Sequence, residues 1–202
     1  MKITLVSIFP DLQSFGIRTI SACLKKDGHD VDLIFLQKDF SQRFADKTMD
    51  DLVKLTKESD LVGITVMSNY WDNAIQITEK IKENYDIPVV WGGTHPTIRP
   101  DECLDHADMV CIGEAEDSIT ELARKMEMGQ HYHDTKGMGF KVNGKKINNG
   151  HRALPGTKGS KYTSLDQVPF QDYEYKTHYM MQGDDIIQMT EELLTKTRFL
   201  EF

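Results

Sequence analysis

Cysteine is scarce: Cys23, Cys103 and Cys111 are the three among 202 residues, scattered and odd in number. That excludes a disulfide framework and points to reduced thiols, hence to a cytoplasmic protein. Positive charge is also short. Lys and Arg total 24 against 32 Asp and Glu, a net charge of −8, so a nucleic-acid backbone, which needs a clustered basic face, is not an expected partner. No apolar run approaches the ~20 residues of a membrane span, and with a first strand starting at Lys2 no signal peptide is expected. The two common phosphate cradles are missing too. The first turn, residues 10–16, lacks Gly-x-Gly-x-x-Gly, and no Gly-x-x-x-x-Gly-Lys-Ser/Thr occurs. The end of the third strand reads Met67-Ser68-Asn69, without the aspartate a phosphoacceptor would need.

What remains is an ordinary globular composition, 39% hydrophobic and 28% charged. The chain is organised around residues 89–118. There Val89-Val90-Trp91 feeds Gly92-Gly93-Thr94-His95-Pro96, and Val110-Cys111-Ile112 feeds Gly113-Glu114-Ala115-Glu116. In an open α/β sheet ligands bind outside the carboxyl ends of the strands, so both turns face one crevice. Strands are expected at 3–9, 31–36, 61–67, 89–91 and 107–112. Helices are expected around Ile17, Ile20 and Leu24, around Leu52 and Leu55, and around Ala74, Ile77 and Ile81. A short one falls at 100–106 and a last one carries Ile119, Leu122, Ala123 and Met126. Thr48 with Asp51, and Ser118 with Glu121, read as capping boxes. Strands apolar on both faces, alternating with helices, predict a flavodoxin-like or Rossmann-like three-layer sandwich: a five-stranded parallel sheet in the order 2-1-3-4-5. After Gly129 the pattern changes. Asn143-Gly144 between two apolar runs predicts a hairpin, residues 148–171 an extended connector, and residues 184–194 a helix. The implied division is 1–130, 131–172 and 173–202.

Among seven histidines, His29 sits in a turn expected to be exposed, and His106, His131, His133, His151 and His178 lie in polar stretches. His95 alone stands at the ligand edge, where bonding to a ligand's polar rim suits it better than metal ligation. Asp11, Glu114 and Glu116 are read as ligand or domain contacts and not as an acid–base set. Tyr70 and Trp71 either wall a flat cofactor or pack on a neighbouring helix.

The set Gly28-His29-Asp30-Val31, Gly92-Gly93-Thr94-His95-Pro96-Thr97 and Gly113-Glu114-Ala115-Glu116 resembles the N-terminal cobalamin-binding domain of B12-dependent radical SAM enzymes. The hairpin and Leu165-Asp166-Gln167-Val168-Pro169-Phe170 are similar to the connector before the radical domain in that family. The resemblance covers roughly residues 1–172. It implies a corrin held across the carboxyl edge by Pro10, Asp11, Gln13 and Gly16; by Met67, Ser68, Asn69, Tyr70 and Trp71; by Gly92, Gly93, Thr94, His95 and Pro96; and by Gly113, Glu114 and Glu116. A side chain at Gly93 is expected to abolish binding and spare the fold. The Cys-x-x-x-Cys-x-x-Cys run that would hold a [4Fe–4S] cluster and engage S-adenosylmethionine is missing, so the chain alone is expected to be non-catalytic. It is then a cobalamin module serving a radical SAM domain in cis or in trans, for methyl transfer or related cobalt-assisted chemistry. The alternative is a stand-alone cobalamin carrier or sensor; a flavodoxin-like fold that has lost its ligand is a weaker third. In methionine-synthase-type cobalamin domains an Asp-x-His-x-x-Gly motif gives cobalt a histidine. Here Asp11 and Gly16 match that spacing, with Gln13 in the histidine's place.

Overall fold

The computed structural model describes residues 1–197. Five parallel strands form the middle of one mixed sheet: β1 (Lys2–Ser7), β2 (Asp30–Phe35), β3 (Leu61–Thr65), β4 (Val89–Gly92) and β5 (Met109–Cys111). They lie in the order β5-β4-β3-β1-β2, which is the expected 2-1-3-4-5. Between them run α1 (Phe15–Lys26), α2 (Asp46–Thr56), α3 (Trp71–Asn84), the short α4 (Thr94–Ile98) and α5 (Pro100–Cys103), and α6 (Glu116–Glu127). Alternation along each strand sends side chains to opposite faces. Val6, Val62, Ile64, Val89 and Trp91 meet α2 and α3 on one side. Ile3, Leu5, Leu33, Leu61, Val90 and Cys111 meet α1 and α6 on the other. Trp91 is fully buried, and its indole N–H donates to Thr78 Oγ1 at 2.9 Å, so no polar atom of that ring is stranded. Among the described residues no helix is long and apolar enough to cross a membrane.

The sheet is wider than the sequence indicates. The hairpin β6 (Met138–Val142) and β7 (Lys145–Asn148) pairs antiparallel with β5, turned by Asn143 and Gly144 at φ 49° and 76°, the left-handed pair such a two-residue loop requires. At the far edge β8 (His178–Gln182) adds parallel to β2, and β9 (Asp185–Gln188) folds back on it. The helix expected over 184–194 is therefore corrected. Its first part is strand β9, and a helix, α7 (Glu191–Thr197), starts only afterwards. Adjacent Ile186 and Ile187 suit either period, and the glycine at 183 (φ 63°) closes a hairpin that periodicity alone does not reveal. Residues 198–202 of the expected connector lie outside the described residues. Both capping boxes fail as well, because α2 and α6 begin two residues before the proposed Thr48 and Ser118. Thr48 Oγ1 donates to the Asp184 carbonyl instead, while Ser118 is buried.

His29 and His178 are buried, not exposed in polar loops. Burial lowers the pKa of both, although Glu127 stands 3.7 Å from the first ring and Asp172 3.3 Å from the second. A histidine whose folded pKa lies below the ordinary value of about 6.5 stabilises the fold above that value and loses the contribution as pH falls toward the folded pKa. Denaturant midpoints are thus expected to drop between pH 7 and pH 5. Neither ring nitrogen of His29 has a hydrogen-bond partner. His29→Leu should therefore keep its stability at pH 7 and flatten that slope; an unchanged slope would acquit His29.

Candidate functional site

Two glycines on neighbouring strands lie on the α1/α6 face at the carboxyl edge. Gly63 of β3 lies between Leu5 and Val90 in register, and Gly92 ends β4 beside Cys111, whose Cβ lies 3.7 Å from where a Gly92 Cβ would stand. Leu5 Cδ2 leans over Gly63, 2.7 Å from where a Cβ would stand, while Gly92 leaves its side-chain space open, and a cleft of about 430 Å³ lies over Leu5, Gly63, Val90, Gly92 and Cys111. Its walls are Phe15, Gly16, Ile17 and Ile20 of α1, Ile119 of α6, and the loop residues Gln13 and Ser14. The β1–α1 loop is held in shape by Asp11, whose Oδ1 accepts the backbone N–H groups of Gln13 (3.0 Å) and Ser14 (2.9 Å). Ser14 itself adopts a left-handed φ of 31° and shares a 2.9 Å hydrogen bond with Ser7.

Of the residues expected at the site, Asp11, Gln13, Gly16, Met67, Gly92, Gly93, Thr94, Gly113, Glu114 and Glu116 line this cleft. Pro10, Ser68, Asn69, Tyr70, Trp71, His95 and Pro96 do not. Pro10 is exposed and its carbonyl accepts Gln37 Nε2. Tyr70 is buried against Phe9 and Phe40. Trp71, half-buried, packs edge-on against Trp91, His95 and His106. His95 Nδ1 pairs with Ser68 Oγ at 2.9 Å, turned toward α3; Asn69 is exposed and Pro96 buried. The cleft also uses Phe9, Ser14, Phe15, Ile17, Ile20, Thr65 and Ile119, which sequence reading passed over. A signal for the floor existed: a lone glycine inside the apolar strand Leu61–Thr65 marks a place where something approaches the backbone closely.

The cleft is apolar below and acidic at its rim. Among the described residues no lysine, arginine or histidine lines it, whereas Asp11, Glu114 and Glu116 do. Burial, aided by Glu114 and Asp117 nearby, raises the Glu116 pKa. Glu116 Oε2 and Thr65 Oγ1 are both buried without a hydrogen-bond partner; such orphans are costly unless a ligand completes them. Cys111 on the floor is inert as a nucleophile, its thiol pushed up to about 12 chiefly by burial. At Gly93 the expectation of a clean separation between binding and fold is corrected. Its φ is +104°, and a Cβ there would stand 3.0 Å from the Val66 carbonyl oxygen, so a side chain strains the loop whatever it does to binding.

A family model described as the B12 binding domain matches residues 1–123. An uncharacterized methyltransferase of Pyrococcus horikoshii is 28% identical over 159 residues, 76% of this chain and 32% of the relative. Among solved structures, the radical S-adenosylmethionine methyltransferase TsrM from Kitasatospora setae, with cobalamin and a [4Fe–4S] cluster bound, superposes with a TM-score of 0.64 at 19% identity, over 79% of this chain and 30% of that one. The cobalamin-dependent S-adenosylmethionine radical enzyme OxsB, with aqua-cobalamin and S-adenosylmethionine bound, gives 0.63 at 18%, over 79% and 23%. The chain thus spans about a third or less of the length of these proteins.

Proposed function

The chain belongs to the B12-binding domain family, and from that premise we propose that it holds cobalamin across the carboxyl edge of its sheet, the nucleotide tail entering the glycine-floored cleft. The observation that carries this is the cleft itself. Gly63 and Gly92 floor an apolar slot suited to a flat benzimidazole, walled by Ile17, Ile20 and Ile119. Thr65 Oγ1 and Glu116 Oε2 offer unfilled hydrogen-bonding capacity inside it. The rim carboxylates of Asp11 and Glu114 suit the N–H groups of a corrin's amide arms. When bound, cobalamin supplies a cobalt centre able to carry a methyl group; this chain's residues bind it, orient it and keep water from its tail.

The radical partner belongs to the same reading. Residues 1–130 act as the cofactor module, 131–172 as hairpin and linker, and 173–202 as the start of a connector. The partner is a radical SAM domain, in cis or in trans, bearing the [4Fe–4S] cluster and S-adenosylmethionine that this sequence has no cysteine triplet to hold. A methyltransferase activity for the assembly is supported by the relative and the neighbours. The test is direct. After incubation with hydroxocobalamin and gel filtration, the protein peak is expected to carry the corrin's visible bands in one-to-one ratio. After iron–sulfur reconstitution it should cleave no S-adenosylmethionine. A colourless protein peak defeats the binding claim, and cleavage defeats the division of labour.

A further inference from the structure

The family match ends at residue 123, yet one wall of the cleft is tied to residues far beyond it. Arg18 of α1 is 1% exposed. Its Nε donates to the carbonyls of Leu12 and Gln13, both at 3.0 Å, and Nη2 to Leu12 again at 2.7 Å. Nη1 donates to the Asp172 carbonyl at 2.8 Å. The guanidinium lies between the rings of Phe35 and Tyr173, 4.5 and 4.7 Å from their centroids. The backbone returns the contact, because Asp172 N–H donates to the Arg18 carbonyl at 3.1 Å. The Asp172 carboxylate then holds Ser21 Oγ at 2.6 Å and Lys25 Nζ at 2.8 Å, so this segment is fastened along α1.

We infer that Arg18 is a positioning residue for the cleft, fixing the Leu12–Gln13 turn of the β1–α1 loop against the segment that begins at Asp172. This rests on the cobalamin reading. Arg18 does not line the cleft; it acts through Gln13 and the loop carrying Asp11, which do. A planar fork can grip two adjacent carbonyls and reach a third across the chain, whereas an ammonium on a flexible stem cannot hold that arrangement. The segment beyond Asp172, which continues into β8, thereby becomes part of the cofactor site's frame although it contributes no lining residue.

The test uses the full chain. Arg18→Lys is expected to weaken hydroxocobalamin binding roughly tenfold, as loss of partners behind ligand-holding residues commonly does. It should also speed amide hydrogen exchange at residues 12–16 of the cofactor-free protein more than elsewhere. Lys25→Met loosens the same aspartate without touching the loop carbonyls and should change neither reading. Should Arg18→Lys fail to fold, Tyr173→Leu, which removes one ring from the guanidinium, is expected to show the same order of effects at smaller size. Wild-type affinity and wild-type exchange at 12–16 in Arg18→Lys would overturn the inference, and so would an equal loss in Lys25→Met. A wild-type protein that takes up no cobalamin defeats the proposed function instead; the exchange readings need no cofactor and still decide whether Arg18 holds the loop.

Discussion

Gly92→Leu is expected to leave a folded protein that no longer retains cobalamin. Position 92 ends β4 with its absent side chain aimed over the cleft floor. A Cβ there makes only ordinary contact with Cys111, at 3.7 Å, and its φ lies outside the left-handed region. The backbone should accept leucine, and replacing glycine in a strand commonly gains about 0.5–1 kcal/mol. The added isobutyl group would occupy the volume assigned to the benzimidazole. Hydroxocobalamin affinity should fall by about a hundredfold or more, which is about 2.8 kcal/mol, while the thermal midpoint holds or rises. Gly93→Val cannot give so clean an answer, since the strain against Val66 mixes folding with binding. A Gly92→Leu protein that binds with wild-type affinity would show that the tail lies elsewhere.

The parallel core was legible because its signals are local. Each strand is a short apolar run closed by glycine, proline or a polar cluster, and each helix shows its stripe at 3.6-residue spacing. The Asn143-Gly144 turn announced its hairpin by the same logic. What stayed hidden depends on pairing across long separations. β8 meets β2 through residues nearly 150 positions apart, and nothing in His178-Tyr179-Met180 names Leu33-Ile34-Phe35 as its neighbour. The glycine-rich turns pointed to the edge where the cleft lies, because glycine there has a backbone reason. Side-chain direction had no such marker. Tyr70 and Trp71 lie where α3 begins at that edge, and their packing onto Phe9 and Trp91 is set by contacts that the sequence does not mark. The burial of His29 and His178 escapes the sequence for a related reason: polar sequence neighbours say little about a ring that folds under α6 or beside Arg18.

In the Co(II) state the bound cofactor is expected to show no superhyperfine splitting from a protein nitrogen. Gln13, Asp11 and Gly16 all line the cleft, so the loop that matches the Asp-x-His-x-x-Gly spacing stands beside the cleft proposed to take the cofactor. Its third residue, however, carries an amide. Among the lining side chains the donors are carboxylates (Asp11, Glu114, Glu116), hydroxyls (Ser14, Thr65, Thr94), the Gln13 amide, the Met67 thioether and a Cys111 thiol protonated at neutral pH. None is an imidazole, the side chain that most readily gives a transition metal a neutral nitrogen. If the benzimidazole enters the cleft as proposed, these lining side chains would offer the cobalt no imidazole nitrogen in its place. Electron paramagnetic resonance on protein grown with nitrogen-15 separates the two nitrogen sources, because only a protein ligand would change the multiplicity of the lines. Splitting that responds to the label in the wild type would refute this expectation. In Gln13→His the labelled splitting is expected to appear, since the new imidazole occupies the position where the loop presents a side chain to the cleft.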